Sequence, residues 1–310
     1  MNIPNPDFET NQLAGFGLSD RRQMLKRLGL GALGLTGLNL LASQVQAATQ
    51  TSDTDQDVAV LQFALNLEYL EAEYYTYAVT GHGIEEEGVE VFGSGNPGHT
   101  KVKDNPKVPF ADRDVELYAT EIAQDERRHV TFIRTALQSL GVTPAARPEI
   151  NLATSWNKLA RAAGLVAADG FFNPFADDVS FLLGAFVFED VGVTAYHGGA
   201  PLLGNKSVLS AAAGILAVEA YHAAIVRTTL LEEGREVIQA VKKISDLRDA
   251  LDGSSDLDEG ISKRGGISNL VPTDHNGIAF ARTVRQVLNI VYFAQDVDRG
   301  VFFPTGINPG

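Results

Sequence analysis

Two Glu-x-x-His pairs lie in the middle of apolar helical stripes, and they constrain the fold of this chain more than any other feature. The pairs are Glu126 with His129 and Glu219 with His222. Residues three apart on an α-helix point the same way, so the carboxylate and imidazole of one pair can bind a single cation. A charged group in an apolar stripe is costly unless it is paired or bound to metal. The pairs therefore indicate a buried two-metal site; the alternative is that each histidine is a hydrogen-bonded helix residue beside a solvated glutamate.

Two further apolar stripes each contain a single glutamate, Glu68 or Glu189, followed seven residues later by Tyr75 or Tyr196. The chain order is that of one helical hairpin used twice, a single-Glu helix followed by a Glu-x-x-His helix. Four helices that contribute four carboxylates and two imidazoles are typical of di-iron and di-manganese helix bundles. The six candidate metal ligands are Glu68, Glu126, His129, Glu189, Glu219 and His222.

Two segments resemble ferritin-like proteins of the desiccation-related group. They are residues 65–75, which read Leu-Asn-Leu-Glu-Tyr-Leu-Glu-Ala-Glu-Tyr-Tyr, and residues 300–306, which read Gly-Val-Phe-Phe-Pro-Thr-Gly. This resemblance runs from about residue 55 to the end. It implies an all-α fold, a ferritin-like four-helix bundle with one long crossover, and a role in desiccation or oxidative stress. Residues 125–129, Asp-Glu-Arg-Arg-His, separately resemble the Asp-Glu-x-Arg-His string of carboxylate-bridged di-iron enzymes.

The same resemblance implies that Asp125 holds a ligand histidine in place. The second pair departs from the string, because Val218 and Tyr221 stand at its Asp and Arg positions. The two halves of the site are therefore expected to differ. Tyr75 and Tyr196 are expected to hydrogen-bond a ligand carboxylate, the alternative being ordinary core tyrosines.

The first helix offers more than one glutamate to the site. Glu71 lies one turn after Glu68 and also borders the apolar face. We favour Glu68 as the ligand because its spacing to Tyr75 repeats the spacing in the third helix, and we place Glu71 beside the site. Glu73 is expected to face solvent.

The amino terminus, residues 1–47, resembles a twin-arginine export signal. Arg21 and Arg22 precede a Gly- and Leu-rich run over residues 28–42, and small residues that end at Ala47 form a cleavage site. A membrane anchor is the alternative, but this run is shorter than the roughly 20 residues that a spanning helix needs. No other stretch is expected to be long or apolar enough to span a bilayer. We therefore expect export to the periplasm, the cell surface or the medium, without stable membrane insertion.

Residues 48–56 are polar and are expected to form a linker, and residues 57–310 are expected to form one ferritin-like domain. Period-two alternation is scarce, so no strands are expected beyond a brief signal near residues 89–92. Two long connections follow the first and second bundle helices. The expected helices are residues 57–80, 112–140, 176–197 and 205–233 with a continuation to 251, a short helix over 156–168, and an additional C-terminal helix over 277–296.

Composition excludes several kinds of function. The formal net charge is −14, which disfavours nucleic acid and anionic membranes and attracts cations. The chain has no cysteine, which excludes disulfides, thiol catalysis and Cys-ligated clusters.

The C-terminal helix expected over residues 277–296 has two possible roles. It either packs on the bundle or forms the seam of a homo-oligomer.

A filled site of this kind would bind two Fe or Mn ions, and Zn also suits carboxylate and imidazole ligands. The expected partners are divalent metal and either dioxygen or hydrogen peroxide. The leading hypothesis is an oxidoreductase that oxidises ferrous iron or consumes peroxide. The alternatives are a manganese catalase and a non-enzymatic secreted stress protein whose metal site is structural or empty.

Overall fold

The computed structural model describes residues 35–263 and 266–309, with side chains from residue 54 onward. The chain divides into two compact units, residues 1–50 and 51–310. Residues 1–34, which include most of the expected signal peptide and its twin arginines, lie outside the described range.

Helices form most of the described chain, so the all-α prediction is confirmed. Four long helices, α1, α2, α4 and α5, supply the candidate ligands. The connection from α2 to α4 is long and contains α3, as expected for one crossover. The helices are α1 Leu35–Thr80, α2 Arg113–Ser139, α3 Ser155–Ala162, α4 Asp178–Gly199, α5 Lys206–Glu232, α6 Arg235–Asp252 and α7 Val284–Tyr292.

Short side-chain caps fix where the bundle helices begin. Asp112 accepts hydrogen bonds from the backbone N–H groups of the first turn of α2, and Asn205 does the same for α5. Asp177 caps α4 through the N–H of Ser180. Such caps satisfy N–H groups that have no partner within the helix.

Two helix boundaries differ from the prediction. Residues 48–56, predicted as a linker, are helical, because α1 begins at Leu35 and the chain from there to Thr80 contains no proline and only Gly37. The C-terminal helix is shorter than predicted. A capping box between Thr283 and Gln286 starts α7, and Phe293 ends it in the left-handed conformation.

Four short strands were not predicted. β1 Thr100–Val102 pairs in parallel with β2 Ile150–Leu152, and β3 Ser262–Lys263 pairs antiparallel with β4 Ile267–Ser268. The first pair ties the connection after α1 to the crossover. The two long connections are thereby joined to each other.

Aromatic side chains fill the core beside the crossover. The Tyr74 ring contacts Trp156 and Phe181, and Phe302 of the C-terminal tail packs on Trp156 and Phe188. All five rings are buried. The tail therefore belongs to the core of the bundle.

The C-terminal helix α7 packs on the bundle. Val287 and Ile290 of α7 form a small apolar cluster with Val191 of α4. Of the two roles expected for this helix, the structure shows packing against the bundle.

Two segments of the described chain reach the length and hydropathy of a bilayer-crossing helix, Asp178–Leu202 and Lys206–Glu232. The prediction that no such stretch exists beyond the amino terminus is therefore wrong on these two measures. Most of the apolar window of the first segment is buried inside the protein, whereas only 28% of the apolar window of the second segment is buried. A buried core helix passes the same test, and both segments carry glutamates that point into the bundle.

A network of buried ion pairs joins α4, α5 and α6 to the chain that follows them. Arg227 and Arg248 both donate to Asp190, and Arg248 and Arg282 both donate to Asp258. Arg282 also donates to Asp252 at 2.6 Å. Every arginine and aspartate in this network makes at least one charge-assisted hydrogen bond.

Candidate metal centre

The four bundle helices bring all six candidate ligands together in the core. Each helix contributes what the sequence predicted, a single glutamate from α1 and α4 and a Glu-x-x-His pair from α2 and α5. No member of the set is more than 7% exposed. Their donor atoms form two overlapping groups, Glu68, Glu126, His129 and Glu219 in one and Glu126, Glu189 and His222 in the other.

The first half of the centre surrounds Nδ1 of His129. This atom lies 3.3 Å from Oε2 of Glu68, 3.5 Å from Oε2 of Glu126 and 3.5 Å from Oε1 of Glu219. Three helices thus present one oxygen each to the imidazole. One cation among these atoms would have three carboxylate oxygens and one nitrogen within reach.

The second half surrounds Nδ1 of His222. Oε1 of Glu126 lies 3.1 Å from this nitrogen, and Oε2 of Glu189 lies 3.7 Å from it. Glu126 therefore directs one oxygen into each half, which is the arrangement of a bridging carboxylate. The rings of His129 and His222 have centroids 6.4 Å apart.

The inward atoms of the six side chains have no hydrogen-bond partner. Buried polar atoms nearly always make hydrogen bonds, so a set of atoms that make none and converge on one space indicates a binding site for a cation. Carboxylate oxygens and imidazole nitrogens are suitable donors for Fe, Mn or Zn. The unpaired atoms are Glu68 Oε2, Glu126 Oε1 and Oε2, His129 Nδ1, Glu189 Oε2, Glu219 Oε1 and Oε2, and His222 Nδ1.

Two tyrosines hold the outer oxygens of the single glutamates. Tyr75 of α1 donates its hydroxyl hydrogen to Glu189 of α4, and Tyr196 of α4 donates to Glu68 of α1. Each tyrosine thus binds the glutamate of the other helix. The hydrogen bond occupies one oxygen and leaves the other directed at the centre.

Asp125 contacts the histidine of the opposite helix. Its Oδ2 lies 3.6 Å from Nε2 of His222, and its Oδ1 accepts a hydrogen bond from Arg128 at 2.9 Å. Val218 and Tyr221 provide nothing equivalent for His129. The two halves are therefore inequivalent, as the sequence indicated.

Glu71 and Gly192 lie beside the centre on the side of α1 and α4. A Cβ atom on Gly192 would lie 2.2 Å from Oε2 of Glu219 and 3.5 Å from Oε1 of Glu71. A side chain at position 192 would therefore displace the Glu219 carboxylate from its position at the centre. Sequence reasoning missed Gly192, although a glycine three residues after Glu189 in an apolar helix is a signal of close approach.

Glu73, predicted to face solvent, is fully buried. It pairs with Arg147 from the crossover and accepts a hydrogen bond from the N–H of Ile84 at 3.3 Å. The prediction was wrong because the two long connections cover this face of α1. The residue anchors them and lies outside the cluster of ligand atoms.

Burial and the density of like charge displace the pKa values of these groups. Burial raises the pKa of Glu68 to about 8, and it also raises the pKa of Glu189 well above its usual range. Burial opposes ionisation of Glu126 too, but the imidazoles of His129 and His222 lower its pKa to about 2. Burial disfavours the charged form of His222, yet contact with Glu126 and Glu189 raises its pKa to about 10.

The charge of the donor set fits two divalent cations. Four glutamates carry four negative charges when ionised, and two neutral imidazoles add none, so two divalent ions would neutralise the site. A single divalent ion would leave a net negative charge in a buried space, which is costly. We conclude that the residues present fit a pair of metal ions.

A four-helix bundle that directs four carboxylates and two imidazoles at one buried space is typical of carboxylate-bridged di-metal proteins. The chain belongs to the ferritin-like domain family, whose sequence profile matches residues 56–232. The family assignment made from the sequence is confirmed.

Two relatives extend this likeness over most of the chain. The desiccation-related protein PCC13-62 of Craterostigma plantagineum is 34% identical over 248 residues, which is 75% of this chain and 76% of the relative. The ferritin-like catalase Nec2 of Nesocodon mauritianus is 28% identical over 288 residues, which is 84% of this chain and 88% of the relative.

Proposed function

We propose that this chain is a di-metal oxidoreductase that consumes hydrogen peroxide, with iron or manganese as its metal. The observation that carries the proposal is the set of unpaired carboxylate and imidazole atoms that converge in the core. Similarity to a ferritin-like catalase over most of both chains supports peroxide as the substrate. The desiccation-related relative supports a role in protection during water loss, when oxidative damage must be limited.

Two metal ions that each change oxidation state by one electron supply the pair of electrons that peroxide reduction requires. Disproportionation converts two molecules of hydrogen peroxide into one of dioxygen and two of water, so no external reductant is consumed. Glu126 would hold both metal positions at a fixed separation. Tyr75 and Tyr196 would keep Glu189 and Glu68 oriented, because each occupies the outer oxygen of its partner.

The test is oxygen evolution from hydrogen peroxide by protein purified without chelators and loaded with Mn²⁺ or Fe²⁺. Glu126→Gln removes the negative charge that both halves share and replaces one of the two oxygens by an amide nitrogen. It is expected to reduce the rate at least about 100-fold, since mutation of even an outer partner of a ligand costs about 10–100-fold. Glu236→Gln, on the exposed face of α6, is the matched control and is expected to keep the full rate.

Other outcomes separate the alternatives. Oxidation of ferrous iron without oxygen evolution would replace the catalase reaction with a ferroxidase reaction. Protein that binds no metal and is equally stable without it would refute the enzyme and favour a non-enzymatic stress protein.

We also propose that the protein is exported with its metal in place. The support is the sequence of residues 1–47, with Arg21 and Arg22 ahead of an apolar run. Cell fractionation and amino-terminal sequencing test this. Mature protein outside the cytoplasm is expected to begin at Ala48, and replacement of both arginines by lysine is expected to retain the precursor in the cytoplasm. Mature protein that keeps residues 1–47 would contradict this.

A further inference from the structure

A cavity of about 390 Å³ reaches from the protein surface to the outer edge of the metal centre, between α2 and α5. Asp125 and His222 lie at its inner end. Glu121 and Tyr221 are exposed and line its outer part, and Val218 forms part of its wall. The cavity therefore approaches the centre through the seam between the two Glu-x-x-His helices.

Acidic and imidazole groups line this path at decreasing exposure. Glu121 and Asp125 are four residues apart and share one face of α2. The Asp125 side chain is 27% exposed, and His222 and Glu126 beyond it are 4% and 1% exposed. Oδ2 of Asp125 lies 3.6 Å from one ring nitrogen of His222, and Oε1 of Glu126 lies 3.1 Å from the other. Donor groups thus follow one another from the surface to the shared carboxylate.

The inner end of the path is a buried group without a hydrogen bond. Nε2 of His222 lies on the cavity side of the ring beside Asp125, and Nδ1 lies on the side of the metal centre and makes no hydrogen bond. The imidazole, whose residue is 3% exposed, therefore separates the cavity from the centre. A surface group of acids would by itself indicate only solvation. Acids that lead through a cavity to this imidazole indicate a route for a cation.

We propose that this cavity is the path by which divalent metal ions enter the centre, with Glu121 and Asp125 as the residues that attract and pass them. The proposal rests on the metal centre of the proposed function. It assigns a role to Glu121, which lies outside the set of candidate ligands.

The lining favours a cation over an uncharged substrate. Two carboxylates in a recess of a protein with a net charge of −14 concentrate cations and accelerate their arrival. At its inner end the cavity meets the Nε2 side of the His222 ring, whereas the ligand atoms that make no hydrogen bond face the metal centre. Arg128 donates a hydrogen bond to Asp125 at 2.9 Å with its own side chain 71% exposed, so it competes with an arriving cation for that carboxylate.

The test is stopped-flow measurement of Co²⁺ binding to metal-free protein, in which the visible absorbance of bound Co²⁺ reports the rate of loading. Glu121→Gln is expected to slow loading about threefold at low ionic strength, a modest loss of electrostatic steering, with the final number of ions unchanged. Arg128→Gln is expected to accelerate loading. Glu236→Gln removes an equal charge from another surface and is expected to load at the wild-type rate.

A steric variant tests the path independently of charge. Val218→Phe narrows the cavity and is expected to slow loading about tenfold or more at any ionic strength, whereas Ala217→Phe on the exposed side of α5 is expected to have no effect. Equal loading rates for wild type, Glu121→Gln and Val218→Phe would overturn the proposal. So would variants that change the KM for hydrogen peroxide but load Co²⁺ normally, since the cavity would then admit peroxide.

Failure of the route and failure of the reaction give different results. Loading rates for Co²⁺ that depend on Glu121 and Val218 support the route. If the same protein evolves no oxygen after loading with Mn²⁺ or Fe²⁺, the peroxide reaction is refuted while the route stands. Protein that binds no Co²⁺ refutes both.

Discussion

Two buried clusters of charged side chains lie on different faces of α4, and adjacent residues belong to different clusters. Glu189 points into the metal centre, whereas Asp190 points into the arginine and aspartate network. Both residues are nearly inaccessible to solvent. The two clusters differ in how their charge is satisfied.

The network balances its charges within the chain. Arg227, Arg248 and Arg282 face Asp190, Asp252 and Asp258, and each makes at least one direct hydrogen bond to an opposite charge. Such a cluster holds α4, α5 and α6 in a fixed arrangement. It also fixes the rotation of α4 and therefore the direction of Glu189.

The metal centre has an excess of acid and its inward atoms are unpaired. Buried charge that is already paired serves the fold, whereas buried charge that is left unpaired requires something from outside the chain. This difference, more than burial or acidity alone, identifies the metal centre as the functional site.

The largest expected effect comes from the balanced cluster. Arg282→Met leaves Asp252 without its arginine partner in the core and leaves Asp258 with Arg248 as its remaining arginine partner, so it is expected to lower the free energy of unfolding by about 3–5 kcal/mol. The loss should be the same with and without metal. Chemical denaturation measures it, and Arg285→Met on the surface of α7 is the control, expected to change stability by less than about 0.5 kcal/mol. A loss that appears only in the metal-loaded protein would contradict the structural role.

A change in the unbalanced cluster is expected to act in the opposite sense. Glu189→Gln removes a buried negative charge while its amide oxygen can still accept from Tyr75. The metal-free variant should be as stable as the wild type or more stable, because burial raises the pKa of Glu189 and disfavours its charged form. The metal-loaded variant should lose the ion beside His222 and with it about 2–4 kcal/mol of metal-linked stability. Thermal unfolding with and without Mn²⁺ checks both parts, and metal-free protein that is strongly destabilised would contradict the first.

The stability of the metal-free protein is expected to fall as pH rises. The folded pKa of Glu68 is raised from 4.5 to about 8 and that of His222 from 6.5 to about 10. A raised folded pKa gives stability that is present below the unfolded pKa and lost as pH passes through the folded value. From pH 6 to pH 9 the loss should reach at least about 1 kcal/mol, or about 2–4 °C in Tm. Metal binding displaces protons from these groups, so the rise in Tm on adding Mn²⁺ should be larger at pH 8 than at pH 6. A Tm of the metal-free protein that rises from pH 6 to pH 9 would contradict the raised pKa values of Glu68 and His222.

The smallest expected effect concerns the tyrosine that orients Glu189. Tyr75→Phe removes one buried hydrogen bond and is expected to cost about 1 kcal/mol of stability. The ion beside His222 should bind more weakly, while the ion beside His129 should be unaffected. Competition with a chelator resolves the two ions. Equal weakening of both would show that Tyr75 acts on the bundle as a whole.

The sequence predicted the bundle and the six residues of the centre because their signal is local. A charged residue in an apolar stripe is visible within one helix, and the repeat of Glu68 and Tyr75 in Glu189 and Tyr196 links two helices. The order of the four helices follows from the order of these residues along the chain, and the family resemblance added the crossover.

Features that depend on contacts distant along the chain could not be predicted. The burial of Glu73 requires Arg147, which is 74 residues away, and the aspartate partners of Arg282 lie on α6 and in the loop after it. The crosswise pairing of Tyr75 with Glu189 depends on how α1 and α4 pack. The predicted end of the first connection was close to correct because a local cap at Asp112 marks it.

The number of metal ions bound per chain is the direct measure of the metal centre. Protein purified without chelators, loaded with Mn²⁺ or Fe²⁺ and freed of unbound metal, should contain about two ions per chain by elemental analysis. Glu126→Ala, which removes the carboxylate shared by both halves, should contain close to none, and Glu236→Gln should retain the full number. Wild-type protein with no bound metal, or a Glu126→Ala variant that retains two ions, would contradict a two-metal site at these residues.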